Sequence, residues 1–184
     1  MKKKVIKSEH QVIRKGSMID FCVDTITLSD NKSYTREYVK HPGAVAILPF
    51  LDNDQIILEN NYRHPFNKTL IEIPAGKLEP NERIEEAALR ELEEETGYKA
   101  NTIIPVGSMI PVGAYSTEII YFFVAYNLEK TKTNQDEDEM LETFVTSFDE
   151  AIKLILEDKI NDAKTISLLL KVKLLRDLGK FKKD

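Results

Sequence analysis

The sequence predicts an α/β protein, with a mixed β-sheet covered by helices and a small N-terminal β-sheet domain in front of it. Three observations predict this. Strand-like runs fill residues 1 to about 40 and stop at the punctuation His41-Pro42-Gly43. A second group of strand-like runs then brackets one amphipathic helix signal at about residues 83–96. Two further helix signals close the chain, so the order strands, helix, strands, helices calls for a sheet with helical cover. The domain boundaries expected from this are 1–42 and 43–184.

Each element has a local reason. Phe21 to Leu28 is β-branched and partly alternating, Ser29-Asp30-Asn31-Lys32 is a turn, and Ser33 to Val39 returns as the partner strand. Ala44 to Phe50 is a continuous apolar run, which reads as a buried strand. Asp52-Asn53-Asp54 turns the chain, and Gln55 to Glu59 pairs back. Thr69 to Pro74 is a further strand that leads into a glycine-containing loop at Gly76. The following helix puts Ile84, Ala87, Ala88 and Leu92 on the core face and its acids on the opposite face. Strands are expected near Ile103–Val112 and Glu118–Leu128, the second rich in aromatic and β-branched residues. Asn134 to Glu142 reads as an acidic loop. Ser147-Phe148-Asp149-Glu150 has the form of a capping box for a helix to about Glu157. Asn161-Asp162 caps a last helix from about Ala163 to Leu178, with Ile166, Leu169 and Leu170 inward.

Composition narrows the function. The net charge of -5 gives no basic surface for nucleic acid. No apolar run reaches membrane-spanning length, and the charged start is not followed by the apolar segment of a signal peptide. The single cysteine, Cys22, excludes an internal disulfide framework and fits a reducing cytoplasm; it lies in an apolar run and reads as a buried, inert thiol. His10, His41 and His64 lack zinc-ligand spacing.

The chemistry concentrates between Gly76 and Tyr98. Within the fourteen residues 82–95, Glu82, Glu85, Glu86, Glu91, Glu93, Glu94 and Glu95 face only Arg83 and Arg90. Gly97 ends the helix, so the densest acid sits at the C-terminus, where the macrodipole disfavours carboxylates. The residues four positions on from Glu93, Glu94 and Glu95 are Gly97, Tyr98 and Lys99, so no cation within the helix is expected to relieve the cluster. Such a cluster calls for a bound cation. Glu91 and Glu95 share one helix face with Glu94 beside them, and carboxylates suit a hard ion such as Mg2+.

Gly76, five residues, Glu82, seven residues, then Arg90-Glu91-Leu92-Glu93-Glu94-Glu95-Thr96-Gly97-Tyr98 resembles the Nudix box, G-x5-E-x7-R-E-U-x-E-E-x-G-U, with U a bulky apolar residue. Every fixed letter matches; Tyr98 is the loosest fit, since aliphatic residues are commoner there. The resemblance implies a Nudix-type α/β/α sandwich and pyrophosphate hydrolysis with Mg2+ or Mn2+, more than one ion. It implies Glu91 and Glu95 as metal ligands together with the carbonyl of Ala75. Glu94 is close behind them and is counted with Arg90 in the catalytic set. Arg90 and Glu82 orient the ligands, and Glu85, Glu86 and Glu93 face solvent.

The flanks resemble the ADP-ribose pyrophosphatase group. The matching stretches are Tyr34 to Gly43, Glu59 to Arg63 with Ile71 to Gly76, Ser116-Thr117-Glu118, and Asp136 to Glu139 with Ile160 to Thr165. Carried over, Arg63 would hold the diphosphate, and Arg36 and Glu37 the nucleobase. Glu118 would lie near the phosphates, Glu137 would be the general base, and Glu139 a further metal ligand. Taken without the resemblance, Arg63 is a strand-end arginine and the acidic loop is solvated; that loop lacks the glycine and glutamate spacing of a calcium loop. Where the group usually has a proline before Ser-Thr-Glu, this chain has Gly113, which widens the expected substrates to nucleoside diphosphate sugars generally. The group also implies a domain-swapped homodimer through residues 1–42, with no nucleic-acid or membrane partner. Two alternatives stand beside this reading: a nucleoside triphosphate-cleaving housecleaning enzyme, and a non-catalytic nucleotide-sensing module of the same fold.

Overall fold

The computed structural model describes residues 3–133 and 140–181. The chain divides into two compact units, residues 1–43 with 110–119, and residues 44–109 with 120–184.

The first unit is an antiparallel meander of β1 (Val5–Lys15), β2 (Asp20–Leu28) and β3 (Ser33–Lys40) in the order β1-β2-β3. The expected turn at Ser29–Lys32 is present, and Asn31 takes the left-handed conformation that asparagine tolerates there. Cys22 is fully buried. β1 is exposed along its whole length. The loop 110–119 joins this unit through Val39, whose N–H donates to Tyr115 O (2.8 Å) and whose carbonyl accepts from Thr117 N–H (3.0 Å).

Among the described residues the second unit contains two sheets and three α-helices. β4 (Ala44–Pro49), β7 (Ala75–Lys77), β8 (Tyr98–Met109) and β9 (Ile120–Lys130) form a four-stranded sheet in the order β7-β4-β9-β8. It is mixed, because β4 and β9 run parallel while the outer pairs are antiparallel. β5 (Gln55–Arg63), β6 (Lys68–Glu72) and β10 (Leu141–Ser147) form an antiparallel sheet in the order β10-β5-β6.

Period-two alternation makes both faces of the mixed sheet apolar. Val45 and Ile47 of β4 with Phe123 and Ala125 of β9 face α1 (Ile84–Thr96), against Ala87, Ala88 and Leu92. Ala46 and Leu48 with Phe122 and Val124 face the other way. They meet Ile56 and Leu58 of β5, Phe148 and Ala151 of α2 (Phe148–Leu156), and Leu168, Leu169 and Val172 of α3 (Ala163–Asp177). Helices thus cover both faces, as the α/β/α expectation required. Each aliphatic side chain fully buried in these layers contributes roughly 1.5–3 kcal/mol.

The caps follow the sequence. Ser147 accepts from Glu150 N–H at the start of α2, and Asp162 accepts from Thr165 N–H at the start of α3. Three expectations need correction. β10 lies where only an acidic loop and a helix start were expected. In α3 Leu169 is inward as expected and half-buried Ile166 packs against the core, but Leu170 is exposed, and Leu168 and Val172 are buried in its place. The acids of α1 do not all face away from the core, because Glu91 and Glu95 are buried. Among the described residues no helix is long and apolar enough to cross a membrane.

Candidate active site

α1 buries two neighbouring stripes at four-residue spacing, Ala88-Leu92-Thr96 and Ala87-Glu91-Glu95. The first is core. The second begins in the core and then carries two carboxylates along its edge, toward β7. Glu95 is 3% exposed, and its Oε2 accepts from the N–H of Ala75 at 2.9 Å. Glu91 lies against Gly76 so closely that a methyl group added there would overlap its carboxylate. Gly76 is therefore needed for the approach of side chain to backbone, not for a special φ. At the far end Gly97 takes φ 69° and donates to Glu93 O, which closes the helix.

Arg90 organises the acids. Its Nε and Nη2 grip Glu82 at 2.8 and 3.0 Å, and Nη1 donates to Glu91 at 2.8 Å and to Glu94 at 2.9 Å. A further bond from Nη2 to Lys77 O (3.3 Å) ties the fan to the loop. The expected absence of any relieving cation within the helix is thus corrected: Arg90 stands four residues before Glu94 and pairs with it from the N-terminal side. The Arg90 hydrogen bonds hold the Glu82 carboxyl below the usual carboxylate range, with a further contribution from Glu79 N–H. Glu85 and Glu86 are exposed, and Glu93 is half-buried.

A second charged cluster lies under β5 and β6. Glu59 and Glu72 are cross-strand partners, and both are completely buried. Arg63 holds Glu72 through Nε–Oε1 (2.8 Å) and Nη2–Oε2 (2.6 Å). Lys164, from the first turn of α3, also donates to Glu72 Oε2, and reaches Asp162 at 3.1 Å. Burial pushes the Glu59 carboxyl up to about 8. Its Oε2 has no hydrogen-bond partner among the described residues, and Oε1 has only a long contact from Asn61 at 3.5 Å. Nothing in the sequence marked these two glutamates as buried, since a strand glutamate ordinarily faces water.

The sequence-predicted site residues divide between the two units. Ala75, Arg90, Glu91, Glu94 and Glu95 are brought together at α1 and β7, and Arg63 sits at the end of β5 in the same unit. Arg36, Glu37 and Glu118 belong to the first unit. There Arg36 and Glu37 are exposed, Arg36 donates to Thr35 O, and Glu118 lies 3.8 Å from His41 Nε2. Glu137 and Glu139 lie outside the described residues.

Among the described residues no three His, Cys, Asp or Glu side chains converge as a ready-made metal cage. The donor set is instead two buried carboxylates beside the backbone of β7. That fits a hard cation held by few protein oxygens and completed by substrate phosphates, as is usual for Mg2+.

Comparisons with known proteins show what the chain is similar to. The NUDIX domain profile matches residues 40–169. The ADP-ribose pyrophosphatase of Bacillus subtilis (strain 168) is 40% identical over 167 residues, covering 90% of this chain and 89% of that protein. The methanol dehydrogenase activator of Bacillus methanolicus is 39% identical over 165 residues, covering 89% and 88%. The GDP-mannose pyrophosphatase of Yersinia enterocolitica is 36% identical over 143 residues, covering 72% and 73%. A solved structure described as an ADP compounds hydrolase superposes with a TM-score of 0.81 at 23% identity over 98% of both chains, which supports the fold.

Proposed function

The chain belongs to the Nudix hydrolase family, and on that premise we propose that it is a Mg2+-dependent pyrophosphohydrolase of ADP-ribose or related nucleoside diphosphate sugars. The products are a nucleoside monophosphate and a sugar phosphate. The observation that carries this reading is the pairing of buried Glu91 and Glu95 with the Ala75–Gly76 backbone. Relatives named for ADP-ribose and GDP-mannose cleavage, aligned over most of the chain, favour the substrate class.

In this reading Glu91, Glu95, Glu139 and the carbonyl of Ala75 hold the metal. Bound there, Mg2+ or Mn2+ would neutralise diphosphate charge and lower the pKa of the attacking water. Arg90 fixes the rotamers of Glu91 and Glu94 by its hydrogen bonds, and Glu82 fixes Arg90 in turn. Arg63 presents N–H donors to the diphosphate oxygens. Glu137 takes the proton of the attacking water, Glu118 lies near the phosphates, and Arg36 with Glu37 contacts the nucleobase. Residues 1–42 form a dimerisation and nucleotide-binding domain that exchanges strands in a homodimer, and residues 43–184 form the hydrolase domain. The single cysteine fits a reducing cytoplasm.

The test is product analysis of purified protein incubated with ADP-ribose, with Mg2+ or with chelator. AMP and ribose 5-phosphate form only with the metal. ADP-ribose that binds without being cleaved would point to a sensing module. Higher catalytic efficiency on nucleoside triphosphates would point to the housecleaning alternative.

A further inference from the structure

The stretch Asn161 to Thr165 has no part in the chemistry so far, yet it bonds to the strand that leads into the site. Asp162 caps α3 and fixes Thr165 through its N–H (2.9 Å) and its hydroxyl (2.6 Å). Thr165 Oγ1 in turn accepts from the N–H of Ile73 at 3.1 Å. Lys164 reaches Glu72, the residue before Ile73. One helical turn therefore grips two successive residues of the segment that continues through Pro74 to Ala75 and Gly76.

We propose that Lys164 is a positioning residue for Arg63, acting through Glu72, so that the first turn of α3 aims the guanidinium at the substrate diphosphate. The inference rests on the reading of Arg63 as the diphosphate contact. Glu72 is a fully buried carboxylate shared by two cations of different exposure: the Arg63 side chain is 40% exposed and that of Lys164 is 11% exposed. Lys164 is the inner clamp and Arg63 the outer one. Arg63 spends Nε–H and one N–H of Nη2 on Glu72. A guanidinium has five N–H donors, so three remain on the side away from Glu72, in the fork geometry that suits two phosphate oxygens. The direction of that fork is set by the plane of the Glu72 carboxylate. Lys164 holds this plane by binding Oε2 while Asp162 holds Lys164. Without the ammonium, Glu72 keeps one cation, and its carboxylate is free to turn with Arg63 attached. Lys164 itself spends two of its three N–H donors on Glu72 and Asp162.

The test is a double-mutant cycle in steady-state kinetics with ADP-ribose and Mg2+, accompanied by thermal melts. Arg63→Gln raises KM, and Lys164→Met raises KM by about tenfold with a smaller change in kcat, as expected for a mis-aimed binding group. The double variant is no worse than Arg63→Gln alone, and Lys164→Arg restores most of the loss. Should Lys164→Met fail to fold, Lys164→Gln takes its place in the cycle. Unchanged KM in the Lys164 variant beside a raised KM in Arg63→Gln overturns the inference alone, leaving Lys164 a purely structural residue. Multiplicative losses in the double variant also overturn it, because Lys164 then acts independently of Arg63. Unchanged KM in Arg63→Gln overturns the diphosphate reading and the inference with it.

Discussion

At α1 three carboxylates, Glu82, Glu91 and Glu94, share one guanidinium, whereas under β5 and β6 the cations match the charged acids. In the second cluster Arg63 and Lys164 face Glu72 and Asp162, and burial pushes the Glu59 carboxyl up, toward its neutral form. The two regions lie in one unit, and both set carboxylates against side-chain cations. The difference teaches where an external charge belongs. A buried cluster with matched cations holds together without a further ion. A cluster in which three acids share one guanidinium among the described residues, with Glu91 and Glu94 in the C-terminal half of α1, is arranged to take a further cation.

The comparison breaks most severely at Glu72. Glu72→Ala leaves Arg63 and Lys164 without their shared buried anion, and the expected loss of stability is about 3–5 kcal/mol, read by chemical denaturation. A loss below about 1 kcal/mol would show that the two cations find water or other partners, and that the cluster is not closed.

Gly76→Ala attacks the other cluster. The added methyl displaces the Glu91 carboxylate, the mobile end of a side chain, so the fold survives while kcat falls about tenfold or more. Wild-type kcat in this variant would show that the close approach has no part in the chemistry.

The third effect is a slope in pH. The Glu59 carboxyl, raised from 4.5 to about 8 by burial, faces Lys164, Glu72 and Arg63 as its charged neighbours. Between these values the folded chain holds a proton that the unfolded chain has released. Stability contributed by this group therefore falls as pH rises from about 4.5 to about 8, by at most about 1.4 kcal/mol per unit, and is flat above. Glu59→Gln removes that slope and gains most over wild type near pH 8. Parallel stability profiles for the two proteins would place Glu59 in a charged, compensated state instead.

The two clusters also differ in how much of them the sequence reveals. The α1 cluster is legible because it is local: its spacing, its terminating glycine and its crowding of acid all lie within one helix and one loop. Its main surprise, the reach of Arg90 back to Glu82 and on to Glu94, needs both directions along the helix and the fold of the preceding loop. The second cluster is assembled across long range. Lys164 is 92 residues from Glu72, so no periodicity reports the contact. β10 was hidden for a related reason. Its burial pattern alternates poorly, and it is a strand because β5 pairs with it. The turn at Ser29–Lys32 and the cap at Asp162 were visible because asparagine and aspartate act on their own neighbouring backbone.

The central claim is that α1, and not the buried cluster, carries the divalent metal. Titrating Mn2+ into the protein, with free ion followed by electron paramagnetic resonance, tests it most directly. Wild type should bind Mn2+, Glu95→Gln should lose that binding and more than about a hundredfold of turnover while keeping its fold, and Glu59→Gln should bind as wild type does. Undiminished Mn2+ binding in Glu95→Gln would contradict the account.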